Sequence, residues 1–154
     1  LDPTVGGSAA DRKFLVEEVK PWIAAHYRVS GRYGLIGESL AGMFAVETCL
    51  RAPQSFDDYI AASPSLWWDK ENLSREAAAD FAKGDFKGRQ LWISVGNEGT
   101  AMQEAIERVV AAEKSVHPAG FALHYDPRPQ ERHDTIYEPT AIAALRTLYA
   151  VKKP

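Results

Sequence analysis

Gly31-Arg32-Tyr33-Gly34-Leu35-Ile36-Gly37-Glu38-Ser39-Leu40-Ala41-Gly42-Met43-Phe44-Ala45 is the stretch on which the rest of the chain hangs. It reads as a short apolar strand, a tight turn carrying a serine, and then an apolar helix, the form of a nucleophile elbow. Strand and helix backbones nearly touch in such a turn, so the residues two before and two after the serine must be small. Gly37 and Ala41 meet that need, with alanine where the usual pattern has a second glycine. A helix starting at the serine also aims its free N–H groups at the hydroxyl, which favours developing negative charge there. The alternative is a strand-to-helix turn whose serine only caps the helix.

On the N-terminal side, residues 1–7 read as a loop, and Ser8-Ala9-Ala10-Asp11 as a capping box that opens a helix. Phe14, Leu15, Val19, Trp22 and Ile23 recur at helical spacing and predict one buried face. Pro21 predicts a kink, because it removes a backbone donor and crowds the preceding turn. The helix is expected to end near Tyr27, and a strand over residues 33–36 then delivers Ser39.

On the C-terminal side, the apolar helix from Leu40 runs to about Arg51 and stops at Pro53. Residues 56–63 predict a second strand, followed by a loop over 64–69 with adjacent Trp67 and Trp68, one of them expected to pack inward. A helix over 71–83 is closed by Gly84. Leu91-Trp92-Ile93-Ser94-Val95 has the unbroken character of a strand buried on both faces of a parallel sheet, and it ends in the turn Gly96-Asn97-Glu98-Gly99. A helix over 101–114 turns Met102, Ile106, Val109 and Val110 inward, and residues 121–125 form a fourth strand. The polar loop 126–135 carries His133, and Pro139 suits the first turn of a last helix whose apolar side includes Ile142, Leu145 and Leu148. This alternation predicts an α/β fold: a three-layer α/β/α sandwich with a mainly parallel sheet, as one domain over residues 1–154.

Bulk properties narrow the function. At 154 residues and 17.0 kDa the chain can bury a real core. A net charge of -3 with no basic face argues against a nucleic-acid partner. No apolar run approaches membrane-spanning length, so no membrane partner is expected. The single Cys49 lies in the apolar helix and reads as a buried thiol, which leaves no disulfide framework and no cysteine-rich metal site. No metal or cofactor is expected, since glycine-rich phosphate and dinucleotide loops and the His-Glu-x-x-His zinc pattern are all missing from the sequence. The compartment, cytoplasmic or periplasmic, stays open. The start at Leu1 without methionine suggests processing or truncation.

In parallel sheets functional residues gather at the carboxyl ends of strands. Ser39 follows the first strand, Glu98 the third and His133 the fourth, in the order nucleophile, acid, base. A serine hydroxyl attacks only once a base takes its proton, imidazole has a suitable pKa, and a carboxylate holds the imidazole tautomer. His26, His117 and His124 compete with His133, but they fall in a helix, a connecting loop and a strand. Glu98 could equally be a solvated turn acid, leaving a Ser–His dyad, and Asp69 is an alternative acid after the second strand. Leu40 offers the first oxyanion N–H, and Glu38, Trp67 and Trp68 are the candidate substrate contacts.

The elbow, joined to Ile60-Ala61-Ala62-Ser63-Pro64-Ser65-Leu66-Trp67-Trp68-Asp69, resembles the α/β-hydrolase esterases related to siderophore (enterobactin-type) trilactone hydrolases. The likeness runs from the helix near Phe14 to the last helix. It implies Ser39 as nucleophile, His133 as base, a small-molecule ester as substrate, and either a triad or a dyad. Such esterases carry further strands before the helix at residues 8–27, and one loop there supplies the second oxyanion N–H. The chain is therefore expected to be the C-terminal part of a longer hydrolase, or to pair through the exposed edge of the Ser39 strand with itself or with that missing segment. Lacking one oxyanion donor costs ~100- to 1000-fold in rate. The alternatives are a non-catalytic hydrolase-fold module for binding or assembly, and an acyltransferase using the same residues.

Overall fold

A computed structural model describes residues 6–150, which fall into two compact units divided between Tyr33 and Gly34. The first unit is helical: α1 (Ser8–Phe14), a π-helical segment (Leu15–Val19) and α2 (Lys20–His26) follow one another directly. Pro21 has no N–H to give to the turn before it, and the hydrogen-bond ladder there widens so that Lys20 N–H reaches the Leu15 carbonyl. Where the sequence predicts a kink, the structure shows a π-helical turn just before Pro21. Gly7 caps α1, not Ser8, so the helix does not start with the expected capping box. The predicted buried face is not observed either, since no residue of these segments is buried and Phe14 and Trp22 are each 52% exposed. Among its described residues this unit has no second element against which to bury an apolar stripe. Trp22 instead stacks on His26, with ring centroids 4.3 Å apart.

The second unit holds a four-stranded, all-parallel sheet in the order β1 (Gly34–Glu38), β2 (Asp58–Ala62), β3 (Gln90–Val95), β4 (Ala122–Pro127). Parallel neighbours need crossovers, and helices supply them: α3 (Ser39–Arg51), α4 (Asn72–Lys83) and α5 (Thr100–Val116). These three pack side by side on the sheet face that carries Tyr59, and α6 (Tyr137–Leu148) covers the face that carries Ile60 and Trp92. The result is a three-layer α/β/α arrangement. β2 and β3 are buried almost throughout, as the continuous apolar pattern predicts, while β1 stands at one edge of the sheet.

Cys49 is fully buried in α3 and unpaired, and burial pushes its thiol pKa up, which makes it unreactive. Met102, Ile106, Val109 and Val110 all face the core from α5. In α6 the buried row is only partly the one expected: Leu148 is half-buried against the cluster of Ile60, Trp92 and Ala144. Thr140 and Ala144 lie inside, following buried Ile136, whereas Ile142 and Leu145 are exposed. Small side chains at a spacing of four let α6 approach closely, so that Ala144 reaches Ile60 and Trp92, and the Thr140 hydroxyl meets Ser94 Oγ at 2.8 Å. Neither tryptophan of the 64–69 loop packs into the core. Leu66 is buried there instead, and Trp67 and Trp68 stack edge to face on each other at 5.8 Å, both exposed.

Candidate active site

Ser39 directly follows β1 and begins α3 with φ +57°, a left-handed backbone that a residue with a side chain adopts only when its surroundings force it. Gly37 shows the forcing contact. A Cβ at Gly37 would overlap the carbonyl group of Ala41, so the strand and the first helical turn touch backbone to backbone. The turn leaves Ser39 part-buried at the start of α3, whose first turn, Leu40 included, has N–H groups with no intrahelical partner.

The other strand ends converge on the same place. β2 runs into Ser63, which is fully buried with φ +40°, and then Ser65, which is also buried. β3 runs into Gly96 and Glu98, and β4 into the loop that carries His133. That loop is pinned. Asn97 N–H donates to Glu131 O at 2.7 Å, Arg128 N–H to Val95 O at 2.8 Å, and Ile136 anchors the far end in the core. A side chain at Gly96 would collide with Glu131 O at 2.7 Å, so only glycine permits this approach.

Glu98 receives three partners. Its Oε1 accepts from the Ser63 hydroxyl and from Gly96 N–H at 3.2 Å, and its Oε2 lies 2.5 Å from His133 Nδ1. The Glu98 side chain is only 7% exposed, so these donors replace lost solvent around the carboxylate. With Nδ1 committed to Glu98, the other ring nitrogen of His133 is left for chemistry. The His133 side chain is 47% exposed and lines a cleft of about 560 Å³ together with Ser39, Ser65, Trp67, Asn97 and Glu98. Met102, Arg132 and Asp134 complete it. Arg132 and Asp134 pair with each other at 3.1 Å, which raises the guanidinium pKa and lowers that of the carboxyl. In this state the Ser39 hydroxyl meets Ser65 Oγ at 3.1 Å.

Of the residues singled out from sequence, Ser39, Glu98, His133 and Trp67 share the cleft, whereas Glu38, Leu40 and Trp68 do not line it. Asp69 is exposed in a left-handed turn within a 3-10 segment (Trp68–Glu71), outside the cleft lining. His26 bonds to the Trp22 carbonyl, His124 to Gln90 while stacking on Trp92, and His117 ends α5 in a left-handed conformation. Sequence reasoning missed Ser63 and Ser65. Their signal was present, two small hydroxyl residues flanking a proline at the end of a buried strand.

The Esterase family model matches residues 3–144. The chain belongs to this esterase family. It is similar to the siderophore enterobactin esterase of Emericella nidulans, with 41% identity over 75 residues, a match covering 47% of this chain and 25% of that protein. It is likewise similar to the ferri-bacillibactin esterase BesA of Bacillus subtilis, 38% identical over 69 residues, covering 44% of this chain and 24% of that one. The fold is that of an IroE-like serine hydrolase from Shewanella oneidensis (TM-score 0.88, 23% identity), of which this esterase-family chain covers 52% with 99% of its own length. Siderophore hydrolase EstB from Aspergillus nidulans superposes with a TM-score of 0.78 at 21% identity, over 97% of this chain and 61% of that one. The chain thus spans about half to three-fifths of these solved relatives, and its matches cover about a quarter of the curated ones.

Proposed function

We propose that the chain carries the chemical residues of a carboxylic-ester hydrolase that works through an acyl-enzyme. The observation that supports this most is the Glu98–His133 pair on the wall of the cleft that Ser39 lines from its strained turn. In this reading His133 removes the Ser39 proton as Oγ attacks the ester carbon. Glu98 keeps the imidazole proton on Nδ1 and stabilises the imidazolium. The Leu40 N–H supports the oxyanion that forms. The imidazolium then protonates the departing alcohol, and water, activated by the same His133, releases the acid.

The relatives' names support a substrate class, since two are siderophore esterases by name and a third is a ferri-bacillibactin esterase. We therefore propose a siderophore-type ester, held by a cleft whose lining includes apolar Trp67 and Met102 and polar Asn97 and Arg132. Treatment of the chain with a fluorophosphonate, followed by intact-mass analysis, tests the nucleophile. One adduct on the parent and none on Ser39→Ala is the expected result. Equal labelling of both, or no labelling of a longer chain extended at its N-terminus, favours a non-catalytic module instead.

A further inference from the structure

Ser65 is 2% exposed, and the hydrogen bond that its hydroxyl makes among the described residues is to Ser39 Oγ. A buried hydroxyl costs free energy unless it is paired. Here the pairing partner is the candidate nucleophile itself. A second tie joins the same two residues along the backbone, where Ser65 N–H donates to Ser39 O at 3.0 Å. Ser65 is also held firmly from its other side, because Trp68 N–H donates to its carbonyl at 3.0 Å and the adjoining Leu66 is fully buried.

We propose that Ser65 donates its hydroxyl proton in a hydrogen bond to Ser39 Oγ and so activates the nucleophile, an inference that rests on Ser39 being the nucleophile. Only one proton can lie between two hydroxyl oxygens. When Ser65 donates, the Ser39 proton turns away into the cleft, whose wall includes His133. During attack the bond from Oγ to the ester carbon forms and the carbonyl electron pair moves onto the carbonyl oxygen. The Ser39 proton passes to the free ring nitrogen of His133. Ser65 keeps its proton throughout, and its hydrogen bond strengthens as charge builds on Oγ, because bonds to charged acceptors are the strong ones. On collapse the carbonyl re-forms, the bond to the leaving alcohol breaks, and His133 returns the proton to that oxygen.

Threonine and valine are nearly equal in size and differ in the hydroxyl, so Ser65→Thr and Ser65→Val share any packing cost. The test is the rate of Ser39 phosphonylation by a fluorophosphonate in the parent chain, in these two variants and in Ser65→Ala, with the melting temperature of each. Ser65→Ala and Ser65→Val are expected to react about 10- to 100-fold more slowly than the parent, and Ser65→Thr about 10-fold faster than Ser65→Val. Equal rates for Ser65→Thr and Ser65→Val, or a parental rate in Ser65→Ala, overturn the inference alone. A parent that forms no adduct at Ser39 removes the nucleophile assignment and the inference with it.

Discussion

Glu98 Oε2 and His133 Nδ1 lie 2.5 Å apart across 35 residues of sequence, one side chain nearly buried and the other open to the cleft. A buried carboxylate facing an exposed imidazole fixes which ring nitrogen carries the proton. Glu98→Gln retains the shape but can present an amide donor to Nδ1, which favours the wrong tautomer. Ester hydrolysis and phosphonylation of Ser39 should both fall by about 10³- to 10⁴-fold, with little change in melting temperature. Parental rates in that variant would mean that His133 works without its acid.

Ser63 donates to the other oxygen of the same carboxylate. If its role is to aim Glu98, Ser63→Ala should slow phosphonylation in the parent, and slow it far less when Glu98→Gln is already present. The coupling read from this double-mutant cycle should be about 1 to 3 kcal/mol. A purely structural Ser63 would cost the same in both backgrounds. A far-downfield proton NMR signal is expected for His133 Nδ1–H in the parent, and it should move in Ser63→Ala.

Two glycines hold the site closed by having no side chain. Gly37→Ala drives a methyl into the backbone of Ala41, where no flexible atom can yield. It should destabilise the fold by about 2 to 4 kcal/mol in urea titration and abolish labelling of Ser39. Gly96→Ala meets Glu131 O and the Glu98 carboxylate. Its expected signature is milder in stability, with loss of the downfield His133 signal.

Asp80 on α4 supplies a pH test away from the cleft. Burial raises its pKa, opposed by Arg51, whose Nε is 3.7 Å from Oδ2. The folded chain thus holds this proton more tightly than the unfolded one. Stability should fall as pH rises from the ordinary carboxylate range through the raised value. Asp80→Asn should flatten that slope, measured by chemical denaturation at a series of pH values, without loss at neutral pH. A steeper slope in the variant would contradict the assignment.

β1 pairs with β2 on one side within its sheet, and Ile36 and Leu40 are exposed beside it. We expect an edge of this kind to recruit a further strand. Sedimentation velocity should show concentration-dependent association, weakened by Ile36→Lys. A monomer at every concentration would argue that the edge is closed.

Much of the fold was legible because it is local. Alternating apolar runs and turn residues mark β1 to β4 and their crossovers, and the strand, Ser39 and helix of the elbow follow one another without a break over residues 34–51. Periodicity failed where burial depends on a partner. The stripe from Phe14 to Ile23 finds no second element among the described residues of its unit, and α6 buries Thr140 and Ala144 in preference to Ile142 and Leu145, because close approach to the sheet favours small side chains over large ones. Neighbouring residues were enough to set the parallel α/β order and to put a serine at a strained strand-to-helix turn. They were not enough to show that Ser63, Glu98 and His133 meet or that Ser65 reaches Ser39. Those contacts span 26 to 35 residues and exist because parallel register brings the carboxyl ends of all four strands to one edge of the sheet.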